Sequence, residues 1–375
     1  MLQIVLLLTL MYRSSGLINI PTATGNLEVY VLPVGQGDCT IIQCPAGQLV
    51  INDCGSNGGN RLTVQEVQTY LGQRVNDVVA ILISHAHTDH YNYLYNITNS
   101  TNTNIRSVII GGELNDYKRN RIRGWLSNFN GTGKLFLINN GRACMGNCSV
   151  IGGTNFCNNS SINFTILAAN VGSRANQKSI VLKVTFGTTF SILLPGDIEG
   201  TAATTVATWP PVRDRLQSLI YKMAHHGASS LANQPEWLDP IKPKRVFASN
   251  GYNFRFCRHP RCDTITRLVY LGTIDPATSH PFYCSNLTST TNYSNYMLHM
   301  YETSPTPDLI CFLTYSSSLT DPFHVNCIKP PTAAQMSQDL LDDDECTLES
   351  ITAHAASLLA QYLIIVTVAV LSILV

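Results

Sequence analysis

The chain has 375 residues, enough for one large domain with extensions or for two domains of about 150 residues each. Apolar residues make up 45%, which supplies a sizeable core and excludes wholesale disorder. Charged residues reach only 13%, against about 25% in ordinary soluble proteins, and 24 Lys and Arg balance 24 Asp and Glu. Nucleic-acid binding through bulk positive charge is thereby excluded, so any anion must be met by local patches or a metal.

Residues 1–16 read as a signal peptide. The run 2–11 has the length of its apolar region, and Ser14, Ser15 and Gly16 are small enough for cleavage, although no Lys or Arg precedes the run. Strands are expected over 27–32, 39–44 and 49–51, the last running into Asn52, Asp53, Cys54 and Gly55. Helical spacing over 62–71 is followed by an apolar strand over 78–83. Unalternating apolar runs of this length suit strands buried on both faces. Residues 96–104 form a polar loop, and 141–161, rich in Cys, Gly and Asn, read as a stapled insertion. Strands resume over 162–168, 179–186, 190–194, 219–224 and 246–249.

Residues 263–340 are rich in Thr, Ser and Tyr and carry scattered cysteines, which reads as a disulfide-pinned C-terminal extension. An acidic stalk over 341–357 leads to a hydrophobic tail over 358–375. Small residues upstream (Ser350, Thr352, Ala353, Ala355, Ala356) make this tail a GPI-attachment signal in preference to a single-pass anchor. Either one predicts an extracellular, cell-surface protein. Twelve cysteines, an even number, predict disulfides in an oxidising compartment. Cys144 with Cys148 and Cys257 with Cys262 have the spacing of local staples. Sequons beginning at Asn96, Asn99, Asn130, Asn147, Asn158, Asn159, Asn163, Asn286 and Asn292 predict a glycosylated surface.

The chemistry is concentrated directly after the strand over 78–83, where His85, His87, Asp89 and His90 fall within six residues. While the chain is still extended, alternate residues point the same way, so His85 and His87 can share one metal. The following turn can swing Asp89 and His90 towards a second. Imidazoles and carboxylates are donors that zinc, iron or manganese accept.

This H-x-H-x-D-H pattern is the signature of the metallo-β-lactamase fold, and the chain resembles that superfamily in the order of its later motifs. Asp197, after Pro195 and Gly196, resembles the metal-bridging aspartate that ends a strand. His225 and His226 before Gly227 resemble the later histidine motif, with one of the two a ligand, His225 ahead, and the other bound to a substrate oxyanion. Within the superfamily the chain looks most like the extracytoplasmic domain of ComEC-type DNA-uptake proteins and related phosphodiesterases. That likeness is carried by Val34, Gly35, Gln36, Gly37 and Asp38, by Asn52 to Gly55, and by Asn176, Gln177, Lys178 and Ser179. It continues in Lys222 with the His-His-Gly motif and in Ser249, Asn250 and Asn253 running on to His259 and Pro260, so that it covers 27–262.

The resemblance implies an α/β fold, the αββα sandwich of two mixed β-sheets flanked by helices, extended here by a disulfide-rich C-terminal segment. It implies two divalent metal ions, zinc or as the alternative manganese, held among His85, His87, Asp89, His90, Asp197, His225 and His226. The chain also departs from the pattern. No histidine lies between His90 and Asp197, so the usual third histidine of the first metal is missing. Asn176 or Ser179 stands there to fill the gap or to hold substrate, which weakens that site and leaves single-metal occupancy open. Asn92 and Tyr93 replace the usual glycines and narrow the metal loop, and Cys257 and Arg258 intrude between Asn253 and His259.

The implied reaction is hydrolysis by water activated on the cations. Asp89 would ligate metal and orient that water, while Asp38 and Asp53 fix histidine orientation. Lys222 and His259 would contact phosphate or protonate a leaving group, with a structural role for either as the alternative. Two basic stretches, 118–123 and 255–261, could follow a phosphodiester backbone, with Phe254 and Phe256 stacking on bases; the first reads equally well as a solvated helix face. The expectation is an exported metal-dependent phosphodiesterase or nuclease, held to membrane by its tail. Hydrolysis of other esters or lactams on the same fold, and a non-catalytic surface protein, are the alternatives.

Overall fold

Strand β4 (Val78–Ile83) shows how the sequence builds the fold. It sends Val78, Ile81 and Ile83 into one apolar layer and Ala80 and Leu82 into another. The computed structural model describes residues 20–59, 61–98, 104–146, 148, 155–228, 231–251, 259–261, 264–265, 268, 273–274, 297–303, 310–318 and 323–328. With strands numbered in chain order, the first sheet runs β16 (Phe323–Ile328), β15 (Ile310–Ser316), β1 (Glu28–Val31), β2 (Cys39–Gln43), β3 (Leu49–Cys54), β4, β5 (Ser107–Ile110) and β6 (Leu135–Leu137). The second runs β13 (Thr273–Ile274), β14 (Met297–Glu302), β12 (Arg245–Ala248), β11 (Ile220–Lys222), β10 (Phe190–Leu194), β9 (Val181–Phe186), β8 (Ile162–Ala169) and β7 (Cys144–Met145). Both sheets mix parallel and antiparallel pairs.

Val29, Val50, Leu82, Leu182, Ile192 and Leu194 fill the layer between the sheets. Helices α1 (Val64–Leu71) and α2 (Asn120–Gly131) cover the outer face of the first sheet through Val67, Leu71, Ile122, Trp125 and Phe129. Helices α3 (Gly200–Thr208) and α4 (Pro235–Ile241) cover the second through Ala203, Val206, Trp237 and Ile241. This is the αββα sandwich expected from the sequence. Burial on both faces explains why its strands lack the alternation of a half-exposed sheet.

The expected helix over 62–71 begins two residues after Leu62, its first apolar residue, because Thr63 and Glu66 form a reciprocal capping box. The first basic stretch runs into helix α2. Arg121 and Arg123 are exposed, and the Arg121 guanidinium lies 4.4 Å from the Tyr95 ring centre. Strands β14, β15 and β16 lie in the stretch read as an extension, yet β14 pairs with β12 and β15 with β1. Residues beyond 262 therefore contribute to both sheets.

Disulfides join Cys39 to Cys54, Cys44 to Cys157, Cys144 to Cys148 and Cys311 to Cys327. The 144–148 staple is the one expected. Cys257, Cys262, the signal segment, the stalk and the tail lie outside the described residues. Among the described residues no helix is long and apolar enough to cross a membrane.

Candidate metal centre

Strands β3 and β4 are parallel, as are β10, β11 and β12, and the chain segments leaving their carboxyl ends meet at one edge of the sandwich. Such an edge is where open α/β sheets bind ligands. Backbone bonds fix the meeting. Ile180 N donates to Ser84 O, Asp38 N to Asp89 O, and His225 N to Gly196 O. Gly55 is required there, because a Cβ would lie 2.6 Å from Thr88 O and 2.7 Å from Tyr91 N. Asn92 closes the same loop: its amide nitrogen donates to Ser56 O at 2.8 Å and its oxygen accepts from Ser56 N at 2.9 Å.

Asp89, His90, Asp197 and His226 are all buried and bring one donor atom each to within 4.8 Å of every other. Asp197 Oδ2 lies 3.1 Å from both His90 Nε2 and His226 Nε2, and Asp89 Oδ2 lies 3.2 Å from His226 Nε2. Donors on one tetrahedral zinc stand about 3.3 Å apart, given bonds of about 2.0–2.1 Å. The far side of each ring is tied. His226 Nδ1 donates to Ser249 O at 2.8 Å, and His90 Nδ1 lies 3.0 Å from Asp53 Oδ2. With the proton on Nδ1, each Nε2 turns a lone pair towards carboxylate oxygens, an arrangement that calls for a metal ion or a further proton between them. Asp89 Oδ1 and the neighbouring His85 Nε2 are buried without a hydrogen-bond partner. These residues fit a divalent metal.

Protons supply that charge when metal does not. Burial disfavours the His226 imidazolium, but Asp197 and Asp89 outweigh it and raise the group to about 9. His90 is likewise raised well above the usual imidazole range, burial being outweighed by Asp197, Asp89 and Asp53. Burial would raise Asp197, yet His226, His90 and Lys222 hold it well below the carboxylate range. Asp53 moves upward, because its full burial exceeds the help of His90.

Three of these backbones are in the left-handed region: Asp53 at φ 54°, His225 at 51° and His226 at 53°. Such conformations are costly for residues with a side chain and collect at functional sites. The turn over 224–227 is held from below. Tyr221 Oη accepts from Ala224 N and Trp237 Nε1 and donates to Asn233 Oδ1, while Asn233 Nδ2 donates to Ala224 O and Ala228 O.

The other predicted residues divide clearly. His226 joins the quartet, whereas His225, which the sequence places ahead, turns its Nδ1 to Glu199 Oε2 at 3.2 Å. His85 and His87 stand beside the quartet, with ring centres 4.7 Å apart and His85 4.2 Å from His90. Among the described residues they close no group of three donors of their own. Burial, His90 and His87 together push His85 far below the usual range, so it is neutral. Asp53 braces His90 and accepts from Ser84 N at 2.6 Å, as a residue fixing histidine orientation should. Asp38 Oδ2 lies 3.5 Å from His90 Nδ1.

Lys222 is a correction. Expected at the substrate, it is buried, with Nζ 2.5 Å from Asp38 Oδ2, 3.1 Å from Asp197 Oδ1 and 3.0 Å from Gly196 O. Its three N–H bonds are committed, and Asp38 and Asp197 raise it despite burial, so it does not release a proton near neutral pH. Ser179 Oγ accepts from Asp197 N at 3.0 Å and so positions the aspartate. Asn176 is buried in the short turn preceding it.

His259 lies near the centre, its ring stacked on His226 at 6.2 Å and 5.7 Å from His225. Burial, His225 and His226 keep it neutral. Asn253 and most of the second basic stretch lie outside the described residues. Glu199, Ser249 and Gln36 were not assigned from sequence. Glu199 had a usable signal, because it stands two residues after Asp197 on extended backbone.

The fold and this centre define a metallo-β-lactamase-fold protein with a candidate metal site. Residues 32–114 match the family model described as metallo-beta-lactamase superfamily. No curated protein matches the sequence. Among solved structures, the chain is similar to the metallo-beta-lactamase fold protein YhfI from Bacillus subtilis, at 9% identity and TM-score 0.36, over 59% of this chain and 85% of that one. Human tRNase Z, short form, matches at 12% and 0.34 over 60% and 92%. Igni18, a metallo hydrolase from Ignicoccus hospitalis, matches at 11% and 0.40 over 64% and 90%.

Proposed function

We propose that this chain is a metal-dependent hydrolase of phosphodiester bonds that works outside the cell. The observation that carries the reading is the pair of imidazole nitrogens, His90 Nε2 and His226 Nε2, each 3.1 Å from Asp197 Oδ2. Two imidazoles and two carboxylates suit zinc, with manganese the alternative. A cation bound there supplies Lewis acidity and a water acidic enough to act as nucleophile near neutral pH.

The chain's own residues supply the remaining requirements. Asp53 and the Ser249 carbonyl hold the two imidazoles in the tautomer that leaves Nε2 free for the cation. Lys222 and Ser179 fix Asp197 from both sides. Gln36 Nε2 lies 3.1 Å from His259 Nδ1; with the amide donating, the His259 proton is on Nε2 and can meet an anionic oxygen. Glu199 braces His225 on the same side. Half-buried His87 marks the way in.

These N–H groups and the ComEC-type motifs support a phosphodiester, with nucleic acid as the wider class, over a lactam. The disulfides support an oxidising compartment. Metal analysis of the purified full chain and hydrolysis of bis(p-nitrophenyl) phosphate, DNA, RNA and nitrocefin test the reading. Chelator-sensitive phosphodiester cleavage is expected, falling about 100-fold or more in Asp89→Ala and His226→Ala. A folded protein that takes up no metal, or activity indifferent to both variants, would leave the non-catalytic surface protein. Cleavage of nitrocefin alone would move the substrate class to lactams.

A further inference from the structure

The quartet closes around a single point. The other group of such donors among the described residues, Asp38, Asp53 and His90, shares His90 with it, and its Asp38 Oδ2 already faces the Lys222 ammonium at 2.5 Å. A second cation beside the quartet that did not share Asp197 Oδ2 would have to use Oδ1, the other oxygen. That atom already faces the Lys222 ammonium at 3.1 Å. Lys222 is anchored on three sides, by Asp38 Oδ2, Asp197 Oδ1 and Gly196 O, and is sealed from solvent. A second dication at Oδ1 would have to displace a buried positive charge and then sit beside the first cation.

The rest of the second position is equally thin. His85 and His87 offer imidazoles, but among the described residues no third His, Cys, Asp or Glu donor groups with them, and the Ser179 hydroxyl accepts from Asp197 N. A neutral hydroxyl is a weak substitute for imidazole in a zinc site. His85 Nδ1 lies 3.0 Å from Ser84 Oγ, and its Nε2 is a buried nitrogen without a hydrogen-bond partner at the edge of the quartet.

We propose that the centre is mononuclear: one divalent cation in Asp89, His90, Asp197 and His226, with the Lys222 ammonium in place of a second. His85 and His87 then face substrate beside the cation and do not hold one of their own. This rests on the metal-centre reading above and narrows it.

Full-length protein stripped with chelator and titrated with Zn²⁺ or Co²⁺, by calorimetry and elemental analysis, tests it without reference to activity. One equivalent per chain is expected, retained in His87→Ala and lost in His226→Ala. Two equivalents, or loss of the single equivalent in His87→Ala, would overturn the inference and leave the hydrolase reading standing. No uptake by folded wild-type protein would overturn both. Lys222→Met isolates the lysine, because removing the ammonium should admit a second, weaker equivalent. A soluble Lys222→Met that still binds one would show that Lys222 does not exclude it. If that variant is insoluble, the wild-type and His87→Ala titrations decide.

Discussion

Asp53 Oδ2 lies 3.0 Å from His90 Nδ1, reaching across from the end of one parallel strand to the turn that follows the next. The left-handed backbone of Asp53 aims the carboxylate, while its other oxygen accepts from Ser84 N. Asp53→Asn keeps the oxygen that binds Ser84 and a residue type that tolerates positive φ. What it removes is the charge that holds His90 with its proton on Nδ1. Metal affinity should fall about 10–100-fold while the fold persists. Competition with a chromophoric chelator measures this, and affinity within twofold of wild type would show that Asp53 does not orient His90.

Asp53 also shows what the sequence could reveal. Motif order was enough to find it, with Asp89, His90 and Asp197, because each follows a recognisable apolar strand. The sandwich was legible for the same reason: strands such as Val78–Ile83 are apolar throughout. Choosing between His225 and His226 was not possible, since both precede the same Gly227 and only the backbone turn decides which ring points inward. Lys222 misled because a lysine near a phosphate site and a lysine neutralising buried aspartates look alike until Asp38 and Gly196 O are seen around it. Helix α3 escaped notice because its Thr-rich sequence has weak helix propensity, and burial of Ala203 and Val206 decides its structure.

Tyr221 supports the histidine turn from within the helical layer of the second sheet. Its hydroxyl satisfies Ala224 N and Trp237 Nε1 and bonds Asn233. Tyr221→Phe leaves two buried donors without an acceptor, so unfolding free energy should drop by about 1–3 kcal/mol. Metal affinity should drop with it, because the 224–227 turn carries His226. Urea unfolding and metal titration measure the two effects. Unchanged stability would mean that the donors find other partners.

The metal-free protein should lose stability as pH rises from neutrality into the alkaline range. Burial opposes the His226 charge, yet Asp197 and Asp89 lift the folded group to about 9 from an ordinary 6.5. A raised histidine contributes stability fully below the unfolded value of 6.5, and the contribution is lost as pH climbs through 9. His90 acts in the same direction. Metal replaces the protons, so the stabilisation by bound metal should widen over that window and metal affinity should rise. Thermal unfolding with and without Zn²⁺ at several pH values checks the sign. A metal-free melting temperature that rises across this range would refute the assignment.

The disulfide Cys39–Cys54 joins the residues immediately after Asp38 and Asp53, the two aspartates nearest His90 Nδ1. Strand pairing already sets Cys39 opposite Cys54, so the cross-link fixes the spacing of the two carboxylates more than the path of the sheet. Its loop spans 15 residues, for which chain entropy gives about 3 kcal/mol. Cys39→Ala with Cys54→Ala should therefore lower unfolding free energy by about that amount. The informative comparison is with Cys311→Ala and Cys327→Ala, whose loop of 16 residues is nearly the same length but joins β15 to β16. Both pairs should cost similar stability, and only the first should weaken metal binding, by loosening Asp38 and Asp53 around His90. Equal metal affinity in the two double variants would show that the aspartates are held by the sheet alone.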